Sequence, residues 1–199
     1  MRLIFLLSLS RLARRAAPAF CSHAAQPRRV SYLPAPHPAS LPLDELKKAC
    51  ETRATKGSGP GGQHRNKVQT AIVLKHVPSE LTGAASESRS QAANLKKATF
   101  RLRMRLAIDR RTEQLDATPS ALWSSRARGG KLAINEQHDD FPALIAEALD
   151  WIHHRGDIKP AAEGLGVSTS QLVKLLRKEP QALGLVNDER QARDLPRLN

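Results

Sequence analysis

The stretch Lys56-Gly57-Ser58-Gly59-Pro60-Gly61-Gly62-Gln63-His64-Arg65-Asn66-Lys67 organises the rest of the chain. Its four glycines and one proline between positions 57 and 62 fit neither a helix nor a strand. Glycine loses the most conformational freedom on ordering, and proline fixes φ and removes a donor. Such a stretch is a surface loop whose backbone can approach another molecule closely. It ends in an amide side chain and a basic-polar patch, and an apolar run follows. No metal-ligand spacing, carboxylate pair or Ser/His/Asp set elsewhere in the sequence competes with it for chemistry.

Working outward, 199 residues suffice for one ordinary domain and a small second one. The net charge of +13 implies an anionic partner. Aromatic residues are only 4%, which argues against base stacking on an aromatic platform. A basic, aromatic-poor surface points to recognition of phosphate backbone and shape, with RNA or DNA as the partner. Non-specific adhesion or an anionic membrane surface is the bland alternative. The charge is unevenly placed: residues 1–43 carry +6, residues 44–111 carry +9 and residues 112–199 carry −2. The polyanion site therefore belongs to the segment that holds the glycine loop. Cys21 and Cys50 fit no disulfide framework and no zinc spacing, so a reducing compartment is the default.

Residues 1–42 read as a disordered or targeting extension. The apolar run Leu3–Leu9 is too short to span a bilayer, and Arg11, Arg14, Arg15, Arg28 and Arg29 follow without any acid. That composition matches an organelle transit peptide, with a secretory signal, a plain disordered extension or an early start as alternatives. Pro34, Pro36, Pro38 and Pro42 form a stiff lead-in. A short helix begins at Leu43, with Asp44 and Glu45 in its first turn, and ends before Gly57. Val68–Val77 reads as a strand closed by Pro78, and Leu81–Ala85 as a weaker second strand.

From Arg89 to about Thr112 the pattern is helical. Leu95, Ala98, Leu102 and Leu106 line one face, while Phe100, Met104 and Ile108 form a second stripe. A helix with two apolar stripes packs on both sides, so the second stripe is expected to dock part of the C-terminal segment. Asp116–Ser120 and Arg126–Lys131 read as linker. Helices are expected from Asp139 or Asp140 to Gly156, from Asp157 onward, from Thr169 to Lys178 behind a Ser168/Gln171 capping box, and from Ala182 to Arg193. Within them, Ala162, Gly166, Val167, Leu172 and Leu175 fall where a helix-turn-helix needs a small residue, a turn glycine and apolar contacts. Lys174, Arg177 and Lys178 would then face phosphate, although structural packing is an equally simple use of such a pair. His153 and His154 are adjacent, not at metal spacing, and read as helix-end partners.

Gly57-x-Gly59-x-x-Gly62 formally matches the dinucleotide fingerprint, but Thr52–Lys56 is not the apolar strand that must precede it. The phosphate-loop pattern fails because Gln63 stands where a lysine is required.

The motifs resemble those of class I peptide chain release factors, in their peptidyl-tRNA hydrolysis domain. The resemblance rests on Gly57-Ser58-Gly59-Pro60-Gly61-Gly62-Gln63, on Asn66-Lys67, on Thr70-Ala71-x-Val73-x-x-Lys75-His76-Val77-Pro78-Ser79, and on Arg89-Ser90-Gln91-x-x-Asn94-x-Lys96-x-Ala98. It covers roughly residues 44–112. It implies an α+β fold, a short sheet plus a long helix, followed by an all-α helix-turn-helix-like C-terminal segment. It also implies that Gly61, Gly62 and Gln63 are catalytic and enter the peptidyl transferase centre of the large ribosomal subunit. There they would promote attack of water on the ester between peptide and the terminal adenosine of tRNA, with no metal and no other cofactor. His64, Arg65, Asn66, Lys67, Arg89, Ser90, Gln91, Asn94, Lys96 and Lys97 are then the residues for contacts to rRNA or tRNA. For Asn66 and Gln91, internal hydrogen bonds that hold the loop are an equal alternative.

The family's usual glycine after Pro-Ser/Thr is Glu80 here, which puts the following hairpin in doubt. About 56 residues precede the loop, so the stop-codon domain of full-length members is expected to be absent. The chain is closest in kind to the short, codon-independent ribosome-rescue members. Their lysine- and arginine-rich tail has no counterpart in the near-neutral helical end. The domain expectation is therefore an extension over 1–42, a catalytic domain over 43–115, a linker over 116–138 and a helical domain over 139–199. The expected partners are the ribosome, through its large subunit and rRNA, and peptidyl-tRNA, with a delivery protein as an option, no membrane and a monomeric state. The expected place is the cytoplasm, ribosome-associated, or the mitochondrial matrix if residues 1–30 are a transit peptide. The alternative function is a nucleic-acid-binding regulator or large-subunit assembly factor that uses the helix-turn-helix without hydrolysis.

Overall fold

The computed structural model describes residues 31–56 and 68–199. Helix α2, Gln91–Asp109, is the central element. Ser90 caps it by accepting a hydrogen bond from the Ala93 N–H, and no glycine or proline interrupts it. On one side it packs against a three-stranded antiparallel sheet of order β2-β3-β4, formed by Cys50–Thr55, Ala71–His76 and Thr82–Ala85. Ala98, Leu102 and Leu106 are fully buried. Gly83 of β4 lies so close that a Cβ there would stand 2.3 Å from the Ala98 carbonyl oxygen and 2.6 Å from the Leu102 nitrogen. Any other residue at 83 would lift the sheet off the helix.

The turn between β3 and β4 explains the departure at position 80. Glu80 has φ 59°, in the left-handed region where a side chain costs roughly 1 kcal/mol relative to glycine. The hairpin nevertheless forms, with Lys75 opposite Thr82 and a Lys75–Glu80 ion pair of 3.3 Å.

Two sequence expectations need correction, and one strand was not anticipated. The short helix α1 is Leu43–Lys48, ending before Gly57, but Cys50–Thr55 after it is a strand. Glu51, Thr52 and Arg53 are exposed and only the small Cys50 and Ala54 pack on the core, which suits a strand at the sheet edge. The extension does not run to residue 42, because Ser31–Leu33 forms β1, paired in parallel with β5, Arg110–Thr112. A single 3-10 turn at Pro38–Ser40 follows β1, with Ala39 buried. Residues 116–138 are not plain linker. They hold the six-residue helix α3, Ala121–Arg126, and a hairpin of β6, Ala127–Arg128, and β7, Lys131–Leu132. Trp123 is 0% exposed, and its indole N–H donates to the Leu165 carbonyl at 2.9 Å.

The C-terminal part is helical throughout: α4, Phe141–Arg155; α5, Ile158–Gly164; α6, Thr169–Arg177; and α7, Pro180–Gln191. The first of these is stopped by Gly156 at φ 82°. Leu144, Ile145, Leu149 and Ile152 are buried, as their spacing requires. Asp140 and Asp157 occupy their N-cap positions without a side-chain cap, because each accepts from an arginine instead, Arg126 and Arg190 respectively. Ser168 caps α6 by accepting from the Gln171 N–H at 3.3 Å.

Both α4 and α7 pack on α2, so the C-terminal segment does dock the long helix. Phe100, Met104 and Ile108 share a surface hollow of about 460 Å³ with Glu179 and Gln181. One hydrophobic core runs from Leu33 to Val186 through both parts. His153 and His154 join the N-terminal strand pair to α4. His154 Nε2 lies 2.9 Å from the Thr112 carbonyl oxygen, and His153 Nε2 lies 2.9 Å from the Tyr32 hydroxyl.

Candidate functional site: the base of the glycine loop

Gly61, Gly62, Gln63, His64, Arg65, Asn66 and Lys67 lie outside the described residues. What is described is the base from which residues 57–67 depart. Thr55, at the end of β2, is paired with Ala71, at the start of β3. The segment thus joins two antiparallel neighbours, which is the connection of a hairpin. A dinucleotide fingerprint needs a strand running into a helix beside a parallel strand.

The exit from the segment is tied to the start of α2 by two amide side chains. Asn94, 0% exposed, donates from Nδ2 to the Thr70 carbonyl at 2.6 Å and to the Ser88 carbonyl at 2.8 Å. Its Oδ1 accepts from the Ser88 N–H at 2.9 Å. Both amide hydrogens and the oxygen are thereby used inside the protein. Gln91 donates from Nε2 to the Gln69 carbonyl at 3.0 Å. Buried amides that satisfy backbone groups fix the position of the segment they touch.

These bonds sort the expected RNA contacts. Asn94 is buried and structural, so its expected contact to RNA is corrected. For Gln91 the internal hydrogen bond is the one present, although its side chain stays exposed. Ser90 caps α2 and remains exposed. Lys96 pairs with Asp139 at 3.1 Å, which links α2 to the start of α4. Arg89 and Lys97 are exposed and free to meet a phosphate.

Sequence reasoning passed over three arginines of α2 that stiffen this base. Arg101 donates to the Ala84 carbonyl at 2.7 Å and Arg105 to the Thr82 carbonyl at 2.9 Å. They occupy acceptors of the open β4 edge that would otherwise template another strand. Arg103 donates to the Leu41 carbonyl. The signal was present in the i, i+4 spacing of Arg101 and Arg105, but it reads equally well as a solvated basic face. Glu87, beside the loop base, has its carboxyl held low by its backbone hydrogen bonds and by Arg101 at 2.6 Å.

The buried histidines behind the sheet are held neutral. Burial pushes His37 down to about 4, and its Nδ1 accepts from the Ala39 N–H at 3.0 Å. His76 is likewise lowered, first by burial and then by Arg110, and lies 2.7 Å from the Ser79 hydroxyl. Among the described residues no group of three or more His, Cys, Asp or Glu side chains is placed to hold a metal.

With this geometry in view, the chain can be set beside known proteins. The model of the RF-1 domain matches residues 43–138 and so runs through the α3 and hairpin segment. The mitochondrial translation release factor in rescue of Mus musculus is 40% identical over 129 residues, 65% of this chain and 69% of that protein. Peptide chain release factor 1 of Gluconobacter oxydans is 38% identical over 87 residues, 44% of this chain but only 24% of the longer factor. The chloroplastic peptide chain release factor PrfB1 of Arabidopsis thaliana is 41% identical over 54 residues, 27% of this chain and 12% of that protein. An α+β sheet-and-helix unit with a loop between antiparallel strands, an RF-1 domain match and these relatives lead to one conclusion: the chain belongs to the class I peptide chain release factor family.

Proposed function

We propose that the chain hydrolyses the ester of peptidyl-tRNA in the peptidyl transferase centre of the ribosome and does so without reading a stop codon. The observation that carries the proposal is the anchored loop base. A segment with the sequence Gly-Gly-Gln departs from a hairpin whose exit is pinned by Asn94 and Gln91. Codon independence rests on the similarity to the rescue factor of Mus musculus.

In the proposed reaction a water oxygen attacks the ester carbonyl carbon, and the bond to the ribose oxygen of the terminal adenosine breaks. The proton lost by water ends on that ribose oxygen. Gly61 and Gly62 carry no Cβ, which lets the Gln63 backbone N–H reach the developing oxyanion or the leaving oxygen. One preorganised donor of this kind is worth roughly 10²–10³ in rate. The Gln63 amide is no base at neutral pH, so its side chain positions water and excludes other nucleophiles. The remaining catalytic contacts come from RNA. Arg89 and Lys97, with His64, Arg65, Asn66 and Lys67, supply phosphate contacts around the tip.

Single-turnover release of labelled peptide from stalled ribosomes tests this. Gly62→Ala is expected to lower the rate by about 10²-fold or more. Undiminished release by that variant, or equally fast wild-type release from free peptidyl-tRNA, would overturn the reading. The mitochondrial names of the rescue relatives support the matrix as the place of action, and sequencing the mature N-terminus checks it.

A further inference from the structure

The C-terminal segment carries a net charge of −2, yet its charges are not equally available. Six of its thirteen acids are engaged by side chains within the protein. Asp139 pairs with Lys96, Asp140 with Arg126, Asp157 with Arg190, and His153 faces Glu189. Glu147 accepts from Ser120, and Asp150 accepts from Thr112. By contrast, Arg128, Lys131, Lys174 and Arg177 are exposed, and none has an ion-pair partner among the described residues.

These four cations fall on two adjoining elements. On α6, Ser170, Lys174 and Arg177 are exposed at i, i+4 and i+7, while Leu172, Leu175 and Leu176 are buried on the other side. Residues 130–134 run along the same helix. The Ser168 N–H donates to the Gly130 carbonyl at 3.4 Å at its start, and Lys178 donates to the Ile134 carbonyl at its end. That hydrogen bond removes Lys178 from the phosphate-facing set read from the sequence. It also marks the side of α6 on which the hairpin lies, since Lys174 is only about 40° around the helix from Lys178. At the hairpin tip Arg128 is paired directly opposite Lys131 across Gly129 and Gly130, at φ 56° and 72°. Opposite residues of a pair point to the same face.

We propose that the β6–β7 tip and the exposed stripe of α6 together form a second phosphate-backbone surface, separate from the glycine loop, that takes double-helical RNA. The pairing of the two helices supports it: α5 and α6 are in contact, Ala162, Val167 and Leu172 are buried, and the face of α6 with Ser170, Lys174 and Arg177 stays open. Single-stranded ligands are disfavoured because binding them relies on stacking, and Tyr32, on β1, is the exposed large aromatic among the described residues. The choice of RNA over DNA rests on the proposed action on the ribosome.

The test measures binding of the full chain to a perfect RNA duplex, to a DNA duplex of the same sequence and to isolated large ribosomal subunits, each across a salt series. The quadruple variant Arg128→Ala, Lys131→Ala, Lys174→Ala and Arg177→Ala is expected to keep the wild-type melting temperature. Its slope of log affinity against log salt on RNA is expected to fall by about 3, at roughly 0.7–0.9 for each phosphate that is no longer neutralised. Each pairwise variant, hairpin or helix alone, is expected to show about half of that fall. Removing two cations elsewhere, Lys48→Ala with Arg197→Ala, is expected to change the slope less than either pair. Gly62→Ala is expected to keep the slope, so failure of the hydrolysis reading and failure of this surface register in different measurements. An unchanged slope in the quadruple variant, an equal fall in the control, or tighter binding to DNA than to RNA would overturn the proposal.

Discussion

The sheet-and-α2 part and the C-terminal helices of this molecule use polar groups differently. Around the glycine loop, neutral amides and arginines donate to backbone carbonyls: Asn94 to Thr70 and Ser88, Gln91 to Gln69, Arg101 to Ala84, Arg105 to Thr82. In the C-terminal part, carboxylates are drawn into internal pairs, and an aliphatic core with Trp123 and Trp151 supplies the cohesion. The first arrangement fixes where a segment sits. The second fixes whether the chain is folded. Damage to the loop base is therefore expected to cost function ahead of stability, and damage to the helices the reverse.

The largest stability effect is expected at Trp123→Ala. Emptying a fully buried indole site and orphaning the Leu165 carbonyl costs about 3–5 kcal/mol, measurable by denaturant unfolding. Because one core joins the two parts, a single transition is expected. Two separate transitions in the variant would break the picture of a shared core.

A pH experiment separates the parts next. Burial pushes the Asp150 carboxyl up to about 6, opposed by its bonds from Thr112 and by Arg111. An acid raised above its unfolded value of 3.8 binds its proton more tightly when folded, so its contribution to stability falls as pH rises from about 4 to 6. His37, lowered from 6.5 to about 4, acts in the opposite sense, since the unfolded chain binds that proton more tightly and stability rises over the same interval. The two effects, about 3 kcal/mol each, largely offset one another. Asp150→Asn removes one of them, so unfolding free energy is expected to rise from about pH 4 to 6.5 by about 3 kcal/mol more than in the wild type. Parallel pH profiles would contradict the assignment.

At Asn94→Ala, a stability loss of about 2 kcal/mol is expected, together with a fall in single-turnover peptide release larger than the unfolded fraction explains. Full release by the folded variant would show that the anchored exit does not position the loop. The smallest effect has the opposite sign. Glu80→Gly relieves the left-handed backbone and forfeits only an exposed ion pair, so a gain of about 1 kcal/mol in denaturant unfolding is expected.

How much of this was legible in the sequence follows from the length and periodicity of each element. The long helix declared itself through Ser90, two apolar stripes and the lack of breakers over nineteen residues. The strand Ala71–His76 was legible from its β-branched and aliphatic run, and α6 from Ser168 and its leucines. The strand Cys50–Thr55 was hidden because at the sheet edge it brings only the small Cys50 and Ala54 to the core and no β-branched or large apolar run. Ser31–Leu33 was hidden because three residues carry no period, and its partner lies far along the chain at Arg110–Thr112. The hairpin at 127–132 did leave a signal, two glycines between an arginine and a lysine, but its flanks are too short to read as strands. At the site, the family motif marked Asn94 and Gln91 as functional without telling a ligand contact from an internal bond. Only burial and partners separate those roles.

The most direct test is single-turnover release of labelled peptide from ribosomes carrying a stop codon, a sense codon or no codon after the last occupied position. The reading predicts release by the wild-type chain that does not depend on a stop codon, slowed about 10²-fold or more in all three complexes with Gly62→Ala. Release confined to the stop-codon complex, or undiminished with Gly62→Ala, would contradict it.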